Sequence, residues 1–97
     1  MSRKEDSYQL RKWSILARRN AKGICECCNT FVGFRNLNTH HANCYRYYPE
    51  ERFLQSNAVC LCYKCHEGLH NIYKINWHYK TTRDDYERFK KIVNLHR

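Results

Sequence analysis

A small α+β domain is the fold class this sequence predicts, on three observations. Apolar residues recur at three- and four-residue steps near both ends of the chain, the period of a helix with one buried face. Between those ends lie short runs rich in aromatic and branched residues, broken near Gly33 and Asn36, which is strand chemistry. Two Cys-x-x-Cys pairs, Cys25/Cys28 and Cys62/Cys65, stand on either side of these runs. With no internal repeat and no low-complexity linker, residues 1–97 are expected to form one domain.

The elements follow in order. Residues 7–20 carry Leu10, Trp13, Leu16 and Ala17 at helical spacing, and Asp6 or Ser7 is placed to cap the start. Gly23 ends this helix and leads into the first cysteine pair. Residues 31–41 predict one or two short strands. A polar, tyrosine-rich loop runs from Ala42 to Ser56 and holds the only proline, Pro49. Asn57 to Leu61 predicts a further short strand, and a helix is expected to begin near Cys65. A last helix is predicted over about 83–95, where Thr82 and Asp85 form a capping-box-like start and Tyr86, Phe89 and Val93 share a face.

A chain of 97 residues has a modest core, and domains of this size are commonly stapled by a metal or by disulfides. The residues after Met1 are Ser-Arg-Lys-Glu-Asp, and no run is apolar enough to cross a bilayer, so a soluble cytoplasmic protein is expected. In a reducing compartment a cysteine framework points to metal. Cys25, Cys28, Cys62 and Cys65 can supply two thiolate pairs to the corners of one zinc tetrahedron. The 33 residues between the pairs exceed the usual zinc-ribbon spacing. Doubling a loop costs only about 0.6 kcal/mol, so the insertion is tolerable. Cys27, Cys44 and Cys60 are read as small hydrophobes.

Lysine and arginine total 18 against nine acids, a formal charge of +9. The basic residues crowd the two ends: Arg3, Lys4, Arg11, Lys12, Arg18, Arg19 and Lys22, then Arg83, Arg88, Lys90, Lys91 and Arg97. This balance favours a polyanionic partner, and against it stands the plainer reading of a well-charged soluble surface.

Four of the six histidines form two close pairs, His40-His41 and His66/His70. The segments LNTHH (37–41) and NAVCLCYKCH (57–66), followed by EGLH, resemble the HNH endonuclease family. Residues 13–28, WSILARRNAKGICECC, resemble the Trp/Arg helix and first zinc knuckle that open many zinc-containing, often phage-encoded members. The resemblance covers roughly residues 13–70. It implies a small ββα-metal (HNH) domain with flanking N- and C-terminal helices and a structural Zn2+ on the four cysteines. It also implies a catalytic divalent cation (Mg2+, Mn2+ or Ni2+) and DNA as partner, with homodimerisation and contact with phage packaging or other DNA-processing proteins left open. By position, His41 takes the general-base role and His40 the metal-ligand role often held by aspartate. Asn57 braces the loop and orients the base, His66 is the final metal histidine, and His70 is an added metal or phosphate ligand. The loop between His41 and Asn57 departs from the family in lacking a clear glycine-rich turn.

Phosphodiester hydrolysis needs a base for the attacking water, neutralisation of the phosphate and stabilisation of the leaving 3′ oxygen. A histidine titrating near neutrality supplies the first, and a divalent ion the other two. Either Asn57 or a backbone carbonyl is expected to fix the His41 tautomer. Zinc on four thiolates has no open position and is not the working ion. Two rivals remain. A zinc-stabilised module that binds DNA without cutting it explains the charge and the cysteines, but not the histidine and asparagine set. His66-Glu67-Gly68-Leu69-His70 also fits the H-E-x-x-H of a zinc peptidase. That reading is disfavoured because it needs a third ligand and a cleft, and because Gly68 costs a helix about 1 kcal/mol relative to alanine. Glu67 is read instead as a solvated residue of the first helical turn.

Overall fold

The computed structural model describes residues 3–73 and 80–95. Three helices and one antiparallel pair of strands make a small α+β fold: α1 (Arg3–Asn20), β1 (Leu37–His41), β2 (Ala58–Cys62), α2 (Tyr63–Tyr73) and α3 (Arg83–Leu95). Among the described residues, no helix is long and apolar enough to cross a membrane.

Helix α1 begins four residues before the expected start, so neither Asp6 nor Ser7 caps it. Asp6 lies inside the helix, where its carboxylate accepts a 3.0 Å hydrogen bond from the Tyr45 hydroxyl. Trp13 and Ala17 are buried as predicted, but Leu16 is 48 % exposed. The sheet beneath has only two strands, so it receives a narrow stripe of the helix and leaves Leu16 at its outer margin. After Asn20 the chain turns through Lys22 and Gly23, both at positive φ (56° and 78°). A Cβ at position 23 would stand 2.7 Å from the Phe31 ring, so glycine is required there for space as well as for conformation.

Of residues 31–41, only Leu37–His41 forms a strand. Phe31 makes a single bridge to Ile24, and Gly33 at φ 88° breaks the run before a 3-10 turn at Phe34–Asn36. β1 pairs with β2 in the register Leu37↔Cys62, Thr39↔Cys60, His41↔Ala58. β2 is buried along almost its whole length because helices pack against both faces: Val59, Cys60, Leu61 and Cys62 are all in the core. Residues 42–57 close the hairpin as a loop with two 3-10 turns, at Pro49–Glu51 and Gln55–Asn57.

β2 runs into α2 with no intervening residue, two residues before the expected helix start. α3 occupies its predicted span. Its capping box is reciprocal: the Thr82 amide donates to the Asp85 carboxylate at 2.9 Å, and the Asp85 amide donates to the Thr82 hydroxyl at 3.4 Å. Tyr86 and Phe89 face the core, with Val93 packed at its edge.

This face of α3 predicts a sharp contrast in stability. Phe89→Ala should cost about 3–5 kcal/mol, while Ile92→Ala, at a position 44 % exposed, should stay within about 1 kcal/mol. Denaturant midpoints of the two variants check this. Equal losses would mean that α3 is not docked by that face.

Candidate metal centres

The first centre is built where two knuckles meet. Cys25 and Cys28 lie on a tight turn closed by hydrogen bonds from the Asn29 amide to the Cys25 carbonyl (2.8 Å) and from the Cys25 amide to the Thr30 carbonyl (2.9 Å). Asn29 allows this turn by adopting φ 61°, a region in which asparagine is tolerated. Cys62 ends β2 and Cys65 sits in the first turn of α2, so the second pair is carried across the seamless strand-to-helix junction. The Glu26 amide donates to the Cys60 carbonyl at 2.9 Å and ties the first knuckle to β2.

The four sulfurs all lie within 4.8 Å of one another, which is close enough to hold one metal ion. Cys28 Sγ and Cys62 Sγ are 3.8 Å apart, matching the roughly 3.8 Å edge of a tetrahedron with zinc–sulfur bonds of about 2.3 Å. The thiols themselves favour a cation. Burial raises Cys25, and burial with the neighbouring Cys25 and Cys27 thiols raises Cys65 far above the ordinary range. Burial acts to raise Cys28 too, but hydrogen bonding with Thr30 and the adjacent thiols brings it down to about 7. The set therefore resists full ionisation until a cation compensates it, and loading is a proton-for-metal exchange. A structural metal, with zinc suited to four thiolates, fits these residues.

The remaining cysteines stay outside this set. Cys27 and Cys60 are buried in the core, and burial holds the Cys27 thiol up at about 11. Cys44 is half-buried, and its amide donates to the Thr81 carbonyl at 3.1 Å.

The second centre is formed by His40 from β1 with His66 and His70 from α2. Their ring nitrogens also lie within 4.8 Å of one another, close enough to share an ion. His66 and His70, one helical turn apart, have ring centroids separated by 4.4 Å, and His40 stands 6.0 Å from each. His40 is nearly buried, and burial followed by the charges of His66, His70 and His41 lowers it to about 3. Burial also lowers His66 and His70. All three imidazoles are thus held in the neutral, ligating form at neutral pH. His70 is as well placed as the other two. The presence of His40 corrects one expectation, since the H-E-x-x-H pair does have a third imidazole beside it.

His41 points elsewhere, as strand alternation requires. Its ring stacks on Trp13 (centroids 4.0 Å apart, planes 16° apart) and meets Tyr45 edge-on at 5.6 Å. Nε2 lies 3.0 Å from the Arg52 carbonyl oxygen. A carbonyl only accepts, so Nε2 carries the proton and the Nδ1 lone pair is left available. Of the two candidates for fixing this tautomer, the backbone carbonyl is the one in contact. Burial lowers the His41 pKa, and the hydrogen bond to Arg52 partly offsets that.

Asn57 acts on the loop instead. Buried at 1 % exposure, it accepts from the Asn43 amide (2.8 Å) and donates to the carbonyls of Asn43 (2.9 Å) and Glu51 (3.3 Å). Asn43 passes the restraint on, bonding Glu51 and accepting from the Arg83 amide at the start of α3. Arg52 holds its own stretch by donating to the Tyr45 and Arg46 carbonyls, with its guanidinium 4.2 Å from the Tyr45 ring. Trp13 adds a hydrogen bond from Nε1 to the Leu54 carbonyl at 2.8 Å. Trp13 was legible in the sequence as a core residue and as part of the Trp/Arg helix of the resemblance, but not as the ring that stacks on His41. Arg52 carried no signal, because the group that touches His41 is a main-chain oxygen that every residue has.

The sulfur cluster predicts that folded protein carries about one tightly held zinc. Cys28→Ser or Cys65→Ser should lose it and unfold or aggregate, while Cys44→Ser should keep both metal and fold. Elemental analysis with circular dichroism checks this, and folded zinc-free protein would overturn it. No family model, curated protein or solved structure matches this chain, so the assignment of both centres stands on their residues alone.

Proposed function

We propose that this protein is a metal-dependent endonuclease of the HNH type that hydrolyses DNA phosphodiester bonds. The observation that carries the reading is the division of labour between two consecutive histidines. His40 joins two helical imidazoles in a metal-sized cluster, while His41 is held by stacking and by one carbonyl so that a single nitrogen lone pair remains free. The order strand, long loop, strand, helix, with metal candidates on the first strand and the helix, is also the ββα-metal arrangement that the sequence resembles.

On this reading His41 Nδ1 takes the proton of the attacking water, and the Arg52 carbonyl keeps Nε2–H occupied so that the tautomer cannot reverse. Asn57 keeps the loop that presents this carbonyl in place. A divalent ion on His40, His66 and His70 would supply charge neutralisation at the phosphate and at the leaving oxygen. Three imidazoles with no carboxylate suit Ni2+ or Zn2+ better than Mg2+ or Mn2+, which prefer oxygen ligands.

The peptidase reading gains a third ligand in His40, yet Glu67 does not behave as its base. Glu67 is exposed, and the Tyr63 hydroxyl one turn earlier hydrogen-bonds to it. The loop-braced His41 would also have no task there. A purely DNA-binding module has no use for either imidazole arrangement.

Plasmid cleavage tests the proposal. His41→Ala should lower the rate by a factor of about 10²–10⁴ while DNA binding persists, and Glu67→Gln should change little. Because burial holds His41 below its ordinary 6.5, its base form survives into mild acid, so the rate should rise with pH through a midpoint below 6.5. Full cleavage by His41→Ala would sink the assignment, and Glu67-dependent hydrolysis of a peptide substrate with no plasmid cleavage would favour the peptidase.

A further inference from the structure

Positive charge is unevenly placed on this chain. Between Ser7 and Lys22 stand Arg11, Lys12, Arg18, Arg19 and Lys22 with no acid, so this stretch carries five of the nine net charges. α3, by contrast, sets Arg83, Arg88, Lys90 and Lys91 against Asp84, Asp85 and Glu87, and Arg83 is paired with Glu87 at 3.6 Å. The basic ends that look alike in the sequence are therefore not equivalent. Arg97 and the side chains of Arg3 and Lys4 lie outside the described residues.

Helix α1 turns Trp13 and Ala17 inward, which leaves Arg11, Lys12 and Arg19 on its exposed side, with Lys22 exposed just beyond its end. Among the described residues none of these cations is in an ion pair. Arg18 is partly engaged, donating to the Ser14 carbonyl at 3.3 Å and lying 4.6 Å from the Phe34 ring centre.

Lys12 and Arg19 also border a groove of about 440 Å³ whose apolar lining includes Ile15, the exposed Leu16 and Phe53. They are two helical turns apart, about 10 Å along the axis. An apolar strip between two cations complements a nucleic-acid backbone, in which sugar edges alternate with phosphates. Leu16, out of place for a core residue, is in place for a sugar.

We propose that the outer face of α1, together with this groove, holds the backbone of duplex DNA without reading its sequence. The choice of DNA among polyanions rests on the nuclease reading. Trp13, whose ring stacks on His41, is the chain neighbour of Lys12, so the helix that carries the cations is the one that backs His41 of β1. A duplex held here lies against that same helix.

The test is binding of a labelled random duplex as a function of salt, with no divalent ion added so that the duplex is not consumed. Arg11→Gln, Lys12→Gln, Arg19→Gln and Lys22→Gln are compared together and in pairs, with Arg88→Gln/Lys91→Gln on α3 as the control. Each lost phosphate contact should reduce the slope of log K against log salt by about 0.9, so the fourfold variant should lose roughly 3 or more. The α3 control should lose less than one contact, and Lys12→Arg/Arg19→Lys should retain the wild-type slope. Glutamine is a good helix former, and circular dichroism with zinc content reads folding. Lys12→Glu and Arg19→Glu singly give the same answer should the fourfold variant not fold.

An unchanged slope in the fourfold variant, or an equal loss in the α3 control, would overturn the inference. So would displacement of the duplex by polyglutamate, charge for charge, as readily as by unlabelled duplex. Wild-type protein that binds through α1 but fails to cleave plasmid with Mg2+, Mn2+, Ni2+ or Zn2+ would retire the nuclease reading and leave this one intact. Cleavage and binding that ignore all four substitutions would do the reverse.

Discussion

Everything in this fold depends on the register of two five-residue strands. Leu37↔Cys62 at one end and His41↔Ala58 at the other fix where both candidate centres can form. A slip of one residue would turn every side chain of β1 to the other face, carrying His40 away from α2 and His41 away from Trp13. So short a ladder cannot defend its register by main-chain bonds alone. It is held from one side by Trp13 and Ala17, and by the Ser14–Thr39 hydroxyl contact at 2.9 Å. From the other side Leu69 of α2 and Tyr86 and Phe89 of α3 complete the core.

The loop 42–57 solves a related problem without the glycines that such a loop often uses. Its shape is set by side chains bonded back to main chain: Asn57, Asn43 and Arg52 each satisfy carbonyls or amides that a regular element would have satisfied. No buried side-chain polar atom among the described residues is left without a partner. The loop is thus irregular in path but tied down at several points, which is what lets a main-chain oxygen at Arg52 serve as a fixed point for His41.

Local chemistry explains what could be read in the sequence. α3 was legible to its ends because Thr82, Asp85 and the spacing of Tyr86, Phe89 and Val93 all act within one element. The cysteine spacing was legible for the same reason, since each pair spans only four residues, the first on a tight turn and the second across the β2–α2 junction. What escaped was set by tertiary contact. Leu16 fits the helical stripe, yet a two-stranded sheet is too narrow to cover it. The early start of α1 and the contact between Asp6 and Tyr45 join residues far apart in the chain. The meeting of His40 with both helical histidines, and the separation of His41 from them, were expected from the family resemblance alone, because they depend on the register and the direction of α2. Neither is written in any short motif.

Cys65 and His66 are neighbours on α2, yet they belong to different clusters. The helix therefore acts as a shared axle between a sulfur compartment and a nitrogen compartment, and the two differ in donor softness. Soft thiolates would retain zinc more tenaciously than three imidazoles would. A metal on the sulfurs would clamp the start of the axle and so hold His66 and His70 toward His40 whether or not the nitrogen cluster is loaded. Should that cluster also take an ion, as the nuclease proposal requires, assembly would be hierarchical: the tighter metal would set the geometry, and the weaker one could exchange without unmaking the fold.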